Sequence, residues 1–191
     1  MNKDLLPLVA TELEALRRKT AARFPPLCRY VVKSLPGNQS CVDCGAVAPD
    51  WASVTHGSLI CLQCSGNHRS YGVHTSVVRS IDMDHWTHDQ VLAMLEGGNG
   101  QLSLFFERHQ MGRDSRAASH RYHTKAGLFY RTHLTAHVVT LSRQGCYRGR
   151  EANRKRYNNE QTKMNTNSQP KATNNNLSKE TSQRQPIVVA Q

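Results

Sequence analysis

Two pairs of cysteines constrain this chain more than any other feature. Cys41-Val-Asp-Cys44 is followed by 16 residues and then by Cys61-Leu-Gln-Cys64. Two knuckles with ligands at i and i+3 can present four thiolates tetrahedrally to one metal ion at ~2.3 Å, the geometry of structural zinc. Gly45 follows the first knuckle and Gly66 lies two residues past the second, where the backbone must turn closely around the sulfurs. A redox dithiol or four unpaired buried cysteines are the competing readings, and two CxxC pairs at this separation favour zinc over both. Four Cys ligands fill the coordination shell and leave no position for an activated water, so the expected role is structural. Cys28 and Cys146 have no CxxC partner and read as bystander thiols.

The rest of the composition says where a core can form. The chain has 191 residues, with 25 Lys and Arg against 14 Asp and Glu, for a net charge of +11. Residues 1–147 hold 16 basic and 11 acidic residues, and 63 of the 147 are apolar. From Arg148 to Gln191 there are 9 basic and 3 acidic residues, only 9 of the 44 are apolar, and 13 are Asn or Gln. The expectation is one domain over 1–147, with its core at about 16–140, and a basic, disordered tail over 148–191. No run of about 18 apolar residues exists, which excludes a spanning helix. Asp4, Glu12 and Glu14 stand where a signal peptide would be apolar, which predicts a reducing compartment and argues against disulfides.

Local signals give a coarse α+β plan. Val9, Leu13 and Leu16 follow i, i+4, i+7, predicting a helix over Pro7–Arg23 that Pro25-Pro26 stops. Leu27–Leu35 reads as a short helix beside the metal site. Trp51–Thr55 and Ser58–Cys61 flank His56-Gly57 as a small hairpin. Thr87 with Gln90 forms a capping-box pattern before an apolar run that Gly97-Gly98 ends. Leu102–Phe106 predicts another helix, and Arg121 to about Leu141 the closing one. The fold class is thus a small four-cysteine zinc finger with a short antiparallel sheet, surrounded by several helices and followed by a disordered tail.

Paired knuckles with nearly this gap also occur in GATA-type DNA-reading fingers, so net +11 brings nucleic acid into consideration. Such a reader needs basic residues directly after the second knuckle. From Ser65 to His85 only Arg69 and Arg79 are positive, against Asp82 and Asp84. That makes nucleic acid the weaker alternative.

What stands there instead is Ser65-Gly-Asn-His-Arg-Ser-Tyr-Gly-Val-His-Thr-Ser-Val-Val-Arg-Ser80. This stretch, the spacing from Cys41 to Arg69, Cys44-Gly-Ala-x-x-Pro-x-Trp-Ala-Ser53 and Gly97-Gly-Asn99 before Phe105-Phe106 resemble the zinc-finger domain of Arf GTPase-activating proteins, the ArfGAP family. The similarity runs from about Leu16 to Ala136, and Tyr122–Arg131 is similar to the end of the domain in Golgi-type members. The resemblance implies an activator of an Arf-family small GTPase, not itself an enzyme, working in vesicle traffic in the cytoplasm with transient recruitment to Golgi or other endomembranes. GTP and Mg²⁺ would belong to the partner. Arg69, five positions after the last cysteine, would be the arginine finger, a type of group worth ~10³ to 10⁵ in rate.

Other positions are read around that role. Trp51 reads as core packing over the zinc site, with an interface aromatic as the alternative. His68, Ser70, His74, Ser76 and Arg79 either support the loop carrying Arg69 or face the GTPase. Asp82, Asp84 and Trp86 read as packing and capping elements, and Asn99 as a turn residue with an interface role as the alternative. Asn67 stands where the resemblance implies a β-branched apolar residue, and Tyr71 where it implies Leu. They motivate a second hypothesis, a non-catalytic zinc scaffold that binds a GTPase or another protein. The +6 tail carries a possible peripheral contact with anionic membrane, against a plain solvated extension.

Overall fold

The computed structural model describes residues 5–114, 120–156 and 158. Among the described residues the named elements follow one another as α1 (Leu5–Arg17), α2 (Pro26–Ser34), β1 (Trp51–Ser53), β2 (Ser58–Ile60), α3 (Leu62–Ser70), β3 (Val78–Ser80), α4 (His88–Glu96), α5 (Asn99–Arg108) and α6 (Lys125–Gln144), with a further helical stretch over 150–156. The fold is α+β as expected: a three-stranded antiparallel sheet in the order β2-β1-β3 with helices around it.

Apolar periodicity sets the helix faces. Val9, Leu13 and Leu16 are the buried residues of α1, which packs on α2 and α4. Helix α1 stops at Arg17, short of the expected Arg23, because Ala22 is drawn into a two-way backbone bridge with Trp86 (3.0 and 2.6 Å). Pro26 opens α2 as its first residue. The exposed N–H groups there are taken by the Glu12 carboxylate of α1, which accepts from Leu27 and Cys28 at 3.0 Å each. Helix α2 lies against α1 and α4.

The hairpin forms as expected. Trp51 pairs with Ile60 and Ala52 with Leu59, and Gly57 closes the turn at φ +59°. A Cβ on Gly57 would lie 2.5 Å from the Ala93 carbonyl oxygen and 2.8 Å from Gly97 Cα, so the turn can reach α4 only as glycine. Strand β3 adds to the other side of β1, with Ala52 opposite Arg79.

Helix α4 begins with the complete Thr87–Gln90 capping box. Thr124 caps α6 through Gly127 N–H at 3.0 Å, and a single 3₁₀ turn over Arg121–His123 precedes it, so the helix starts later than Arg121. Trp86 is fully buried, edge-on to Phe24 at 4.7 Å, with its indole N–H on the Ser80 carbonyl.

The segment read as a tail begins with structure. Residues 150–156 are helical, Asn153 is buried, and its amide donates to Glu96 of α4 at 3.0 Å. Arg150 donates to Gln101 of α5 at 2.8 Å. Ordered packing therefore runs past residue 147; residues 157 and 159–191 of the expected tail lie outside the described set. No helix among the described residues is long and apolar enough to cross a membrane.

Candidate metal centre and adjoining arginine

The two knuckles bring all four cysteines together. The Sγ atoms of Cys41, Cys44, Cys61 and Cys64 lie within 4.8 Å of one another, and those of Cys44 and Cys61 are 3.5 Å apart. A tetrahedral ion with ~2.3 Å bonds sets sulfurs about 3.8 Å apart, so the donor set and its spacing fit one Zn²⁺. In the first knuckle Gly45 takes φ +78°, while Cys41 N–H donates to the Ala46 carbonyl. In the second, Cys61 is the N-cap of α3, and its sulfur accepts from Cys64 N–H at 3.5 Å. Burial raises the Cys41 and Cys64 thiols above their ordinary range, whereas at Cys61 burial is outweighed by the Cys64 N–H and the neighbouring thiols, which lower the thiol. Cys28 is buried, its thiol held protonated first by burial and then by the Glu12 charge; Cys146 is exposed. Both stand apart from the cluster.

Helix α3 carries the chain from the metal centre to Arg69. Arg69 is exposed on its last turn, with Nη1 3.4 Å from Ser65 Oγ and the guanidinium carbon 4.6 Å from the centre of the Trp51 ring. Trp51 is half-buried, packing on the core while also meeting Arg69. Trp51, read as core packing with an interface aromatic as the alternative, packs on the core and also offers the ring on which Arg69 rests. No ion pair among the described residues involves Arg69.

Behind Arg69 runs a buried polar chain. His68 is fully buried, with Nε2 2.9 Å from Asp43 Oδ2 and Nδ1 2.7 Å from Ser76 Oγ. Ser76 Oγ lies 2.7 Å from Ser53 Oγ, which lies 2.8 Å from His56 Nδ1. The other oxygen of Asp43 accepts 2.6 Å bonds from Arg121 and from the Tyr122 hydroxyl. Burial favours the neutral acid at Asp43, but His68, Tyr122 and Arg121 outweigh it and hold the carboxyl well below the usual carboxylate range. Burial, then the Asp43 charge, keeps Tyr122 protonated as a donor. At His56, burial and then the charge on His68 bring the imidazole down to about 3. Asp43, His68, Ser76, Ser53 and His56 thus form one continuous buried chain of hydrogen-bonding contacts.

The remaining expected site residues scatter. Ser70 and His74 are exposed near Arg69, and the Ser70 hydroxyl donates to the Asn67 carbonyl at 2.7 Å. Arg79 is half-buried on β3. Asp82 caps no helix: it pairs with Arg29 of α2, while its carbonyl accepts from Arg23 at 2.6 Å. Asn99 is not a turn residue. It is buried at the start of α5, and its amide accepts from Leu59 N–H at 2.7 Å and donates to the carbonyls of Leu59 and Ser40. Tyr71 turns inward, its ring 5.1 Å from His68 and 5.8 Å from Tyr122.

Asp43, Arg121, Tyr122, Ser53 and His56 were not among the expected site residues. The one signal for Asp43 was its position inside a knuckle; His68 lies 25 residues along the chain, and Arg121 and Tyr122 lie nearly eighty.

Comparison with known proteins fits this arrangement. The ArfGap family, described as "Putative GTPase activating protein for Arf", matches residues 28–139. The chain belongs to the ArfGap family. Among ArfGap relatives, ADP-ribosylation factor GTPase-activating protein 3 of Bos taurus is 43% identical over 114 residues, covering 59% of this chain and 22% of that protein. ADP-ribosylation factor GTPase-activating protein GCS1 of Saccharomyces cerevisiae is 44% identical over 80 residues, 42% of this chain and 23% of that protein. The chain thus spans under a quarter of the length of these curated relatives. The solved structure of a "putative GTPase activating protein for ADP ribosylation factor" from Cryptosporidium parvum superposes with a TM-score of 0.55 at 31% identity, covering 65% of this chain and 93% of that one.

Proposed function

We propose that this domain accelerates GTP hydrolysis by an Arf-family GTPase, with Arg69 entering the partner's nucleotide site in trans. The observation that carries the reading is the setting of Arg69: exposed, next to a metal-fixed knuckle, outside every ion pair of the described residues, and held by an aromatic face. A guanidinium so placed can meet the negative charge that redistributes over a transferred phosphoryl group and its leaving oxygen. Resting on Trp51 restricts its rotamers before docking, which lowers the entropy lost on binding. Leu62, 66% exposed, shares the Arg69 face of α3 at i and i+7, and Val73 is 71% exposed just beyond the helix. An apolar margin of this kind suits burial against a protein partner.

Zinc bound at the four cysteines would act structurally, tying the first knuckle to the start of α3. The chain's own residues then do the rest: Trp51 and Ser65 orient Arg69, and the exposed face of α3 meets the GTPase. GTP and Mg²⁺ come with the partner. The place in vesicle traffic at the Golgi or another endomembrane, and any contact of the basic tail with anionic lipid, belong to this same reading.

The test is single-turnover hydrolysis by Arf·GTP with and without the 191-residue chain. Stimulation that Arg69→Lys removes, with zinc content and melting unchanged, is the expected result, because Lys lacks the planar, multi-donor fork. Equal stimulation by Arg69→Lys would sink the finger assignment. Binding to Arf·GTP without stimulation by the wild type would establish the scaffold alternative.

A further inference from the structure

Helix α3 has too little apolar burial to hold its own end in place. Of its nine residues only Cys64, Ser65 and His68 are buried, and Leu62 is 66% exposed. Its first turn is tied down by Cys61 and Cys64. Its last turn, which carries Arg69, is held through the neighbouring side chain His68. That imidazole bridges two separate parts of the molecule, Asp43 between the first pair of cysteines and Ser76 just ahead of β3. Asp43 is braced in turn by Arg121 and Tyr122 from the turn before α6, and Ser76 by Ser53 at the end of β1, the strand that starts with Trp51.

We infer that the buried chain Asp43–His68–Ser76 is a positioning device for Arg69, fixing the rotation of the last turn of α3 so that the guanidinium stands over Trp51. This inference rests on the Arg69 reading for its catalytic consequence but not for its structural one. A helix end held by two short bonds to one ring has a defined azimuth. Cut either bond and the turn can rotate about its metal-fixed start, and angstrom-scale misplacement of a catalytic group can cost about 100-fold in rate. The inward-turned Tyr71, packed on His68 and Tyr122, braces the same turn from its C-terminal side.

Two variants of the full chain test this. Ser76→Ala removes one partner of His68, and Asp43→Asn weakens the other at constant size; each is first checked for one bound zinc and cooperative melting. Should Asp43→Asn lose either, Tyr122→Phe takes its place, deleting a single hydroxyl from Asp43. The first readout needs no GTPase: the Arg69 Nε–H resonance, assigned by its absence in Arg69→Lys, is ring-current shifted by Trp51 in the wild type. In the variants that shift is expected to collapse toward the value of a free arginine. The second is steady-state activation of Arf·GTP hydrolysis, where kcat is expected to fall about 10- to 100-fold with KM within about two-fold. An unchanged Arg69 shift in both variants overturns the inference, as does a loss confined to KM. If Arg69→Lys proves fully active, the finger reading fails, while the resonance still decides whether Asp43 and Ser76 place the side chain.

Discussion

The guanidinium carbon of Arg69 stands 4.6 Å from the centre of the Trp51 ring, although the two residues come from different elements, the last turn of α3 and the first position of β1. An exposed contact of this type is worth about 0.5–1 kcal/mol. Trp51→Ala should therefore lower activation of Arf·GTP hydrolysis about two- to five-fold, with Trp51→Phe losing less. Parallel metal analysis separates this from loss of the four-cysteine zinc site. No change in Trp51→Ala would show that the ring does not restrain Arg69.

Asn99 performs the work of a missing strand. Its amide satisfies both backbone groups of Leu59 on the outer edge of β2 and also binds the Ser40 carbonyl ahead of the first knuckle, while its own N–H goes to Asn38. Asn99→Ala leaves the Leu59 N–H without its partner and takes the amide from the Ser40 and Leu59 carbonyls, the latter keeping Val42 N–H, and should cost about 2–4 kcal/mol. Urea unfolding followed by tryptophan fluorescence measures it, Trp86 being buried in the same core. A loss under 0.5 kcal/mol would mean that water replaces the amide.

His56 gives a pH dependence with a definite sign. Its folded value near 3 lies below the unfolded imidazole, about 6.5, so the unfolded chain binds the extra proton between these limits. The stability it contributes is complete above about pH 6.5 and is lost as pH falls toward 3. Between pH 7 and 5.5 the expected loss is about 1 kcal/mol. His56→Asn, which keeps a partner for Ser53, should flatten that slope. An unchanged slope in the variant would assign the acid sensitivity elsewhere.

Removal of zinc offers a fourth check. A set of four sulfurs that fixes both knuckles and starts α3 should make melting depend on the metal, so a strong chelator is expected to lower the melting temperature by more than about 10 °C. Readdition of Zn²⁺ should restore it. Identical melting with and without the ion would contradict a structural role.

Features read correctly from the sequence are those whose partners are near in sequence. The capping box needs only Thr87 and Gln90, and the hairpin only the six residues beside a positive-φ Gly57. The four cysteines were legible because the geometry of one ion fixes their spacing. Features missed depend on distant partners. Helix α1 ends at Arg17 because Ala22 answers to Trp86, and nothing local marks that. Asn99 looked like a turn residue after two glycines, since Leu59 and Ser40 cannot be seen from its own neighbourhood. Asp43 has no role assigned to it inside its CxxC pair, and Arg121 reads as the start of a helix; only the folded chain makes them one ion pair.

That pair also orders events in time. Arg121 lies 57 residues beyond Cys64, so a ribosome moving at ~5–20 residues per second needs about 3–11 s to travel from the last metal ligand to the cation that Asp43 awaits. Until then a nascent chain holds every sulfur of the metal centre while one carboxylate oxygen of Asp43 has neither Arg121 nor Tyr122 to meet it. A fragment cut between the cysteines and residue 121 would be frozen in that condition. The finger is consequently no portable module: its working shape is completed by the last third of its own domain.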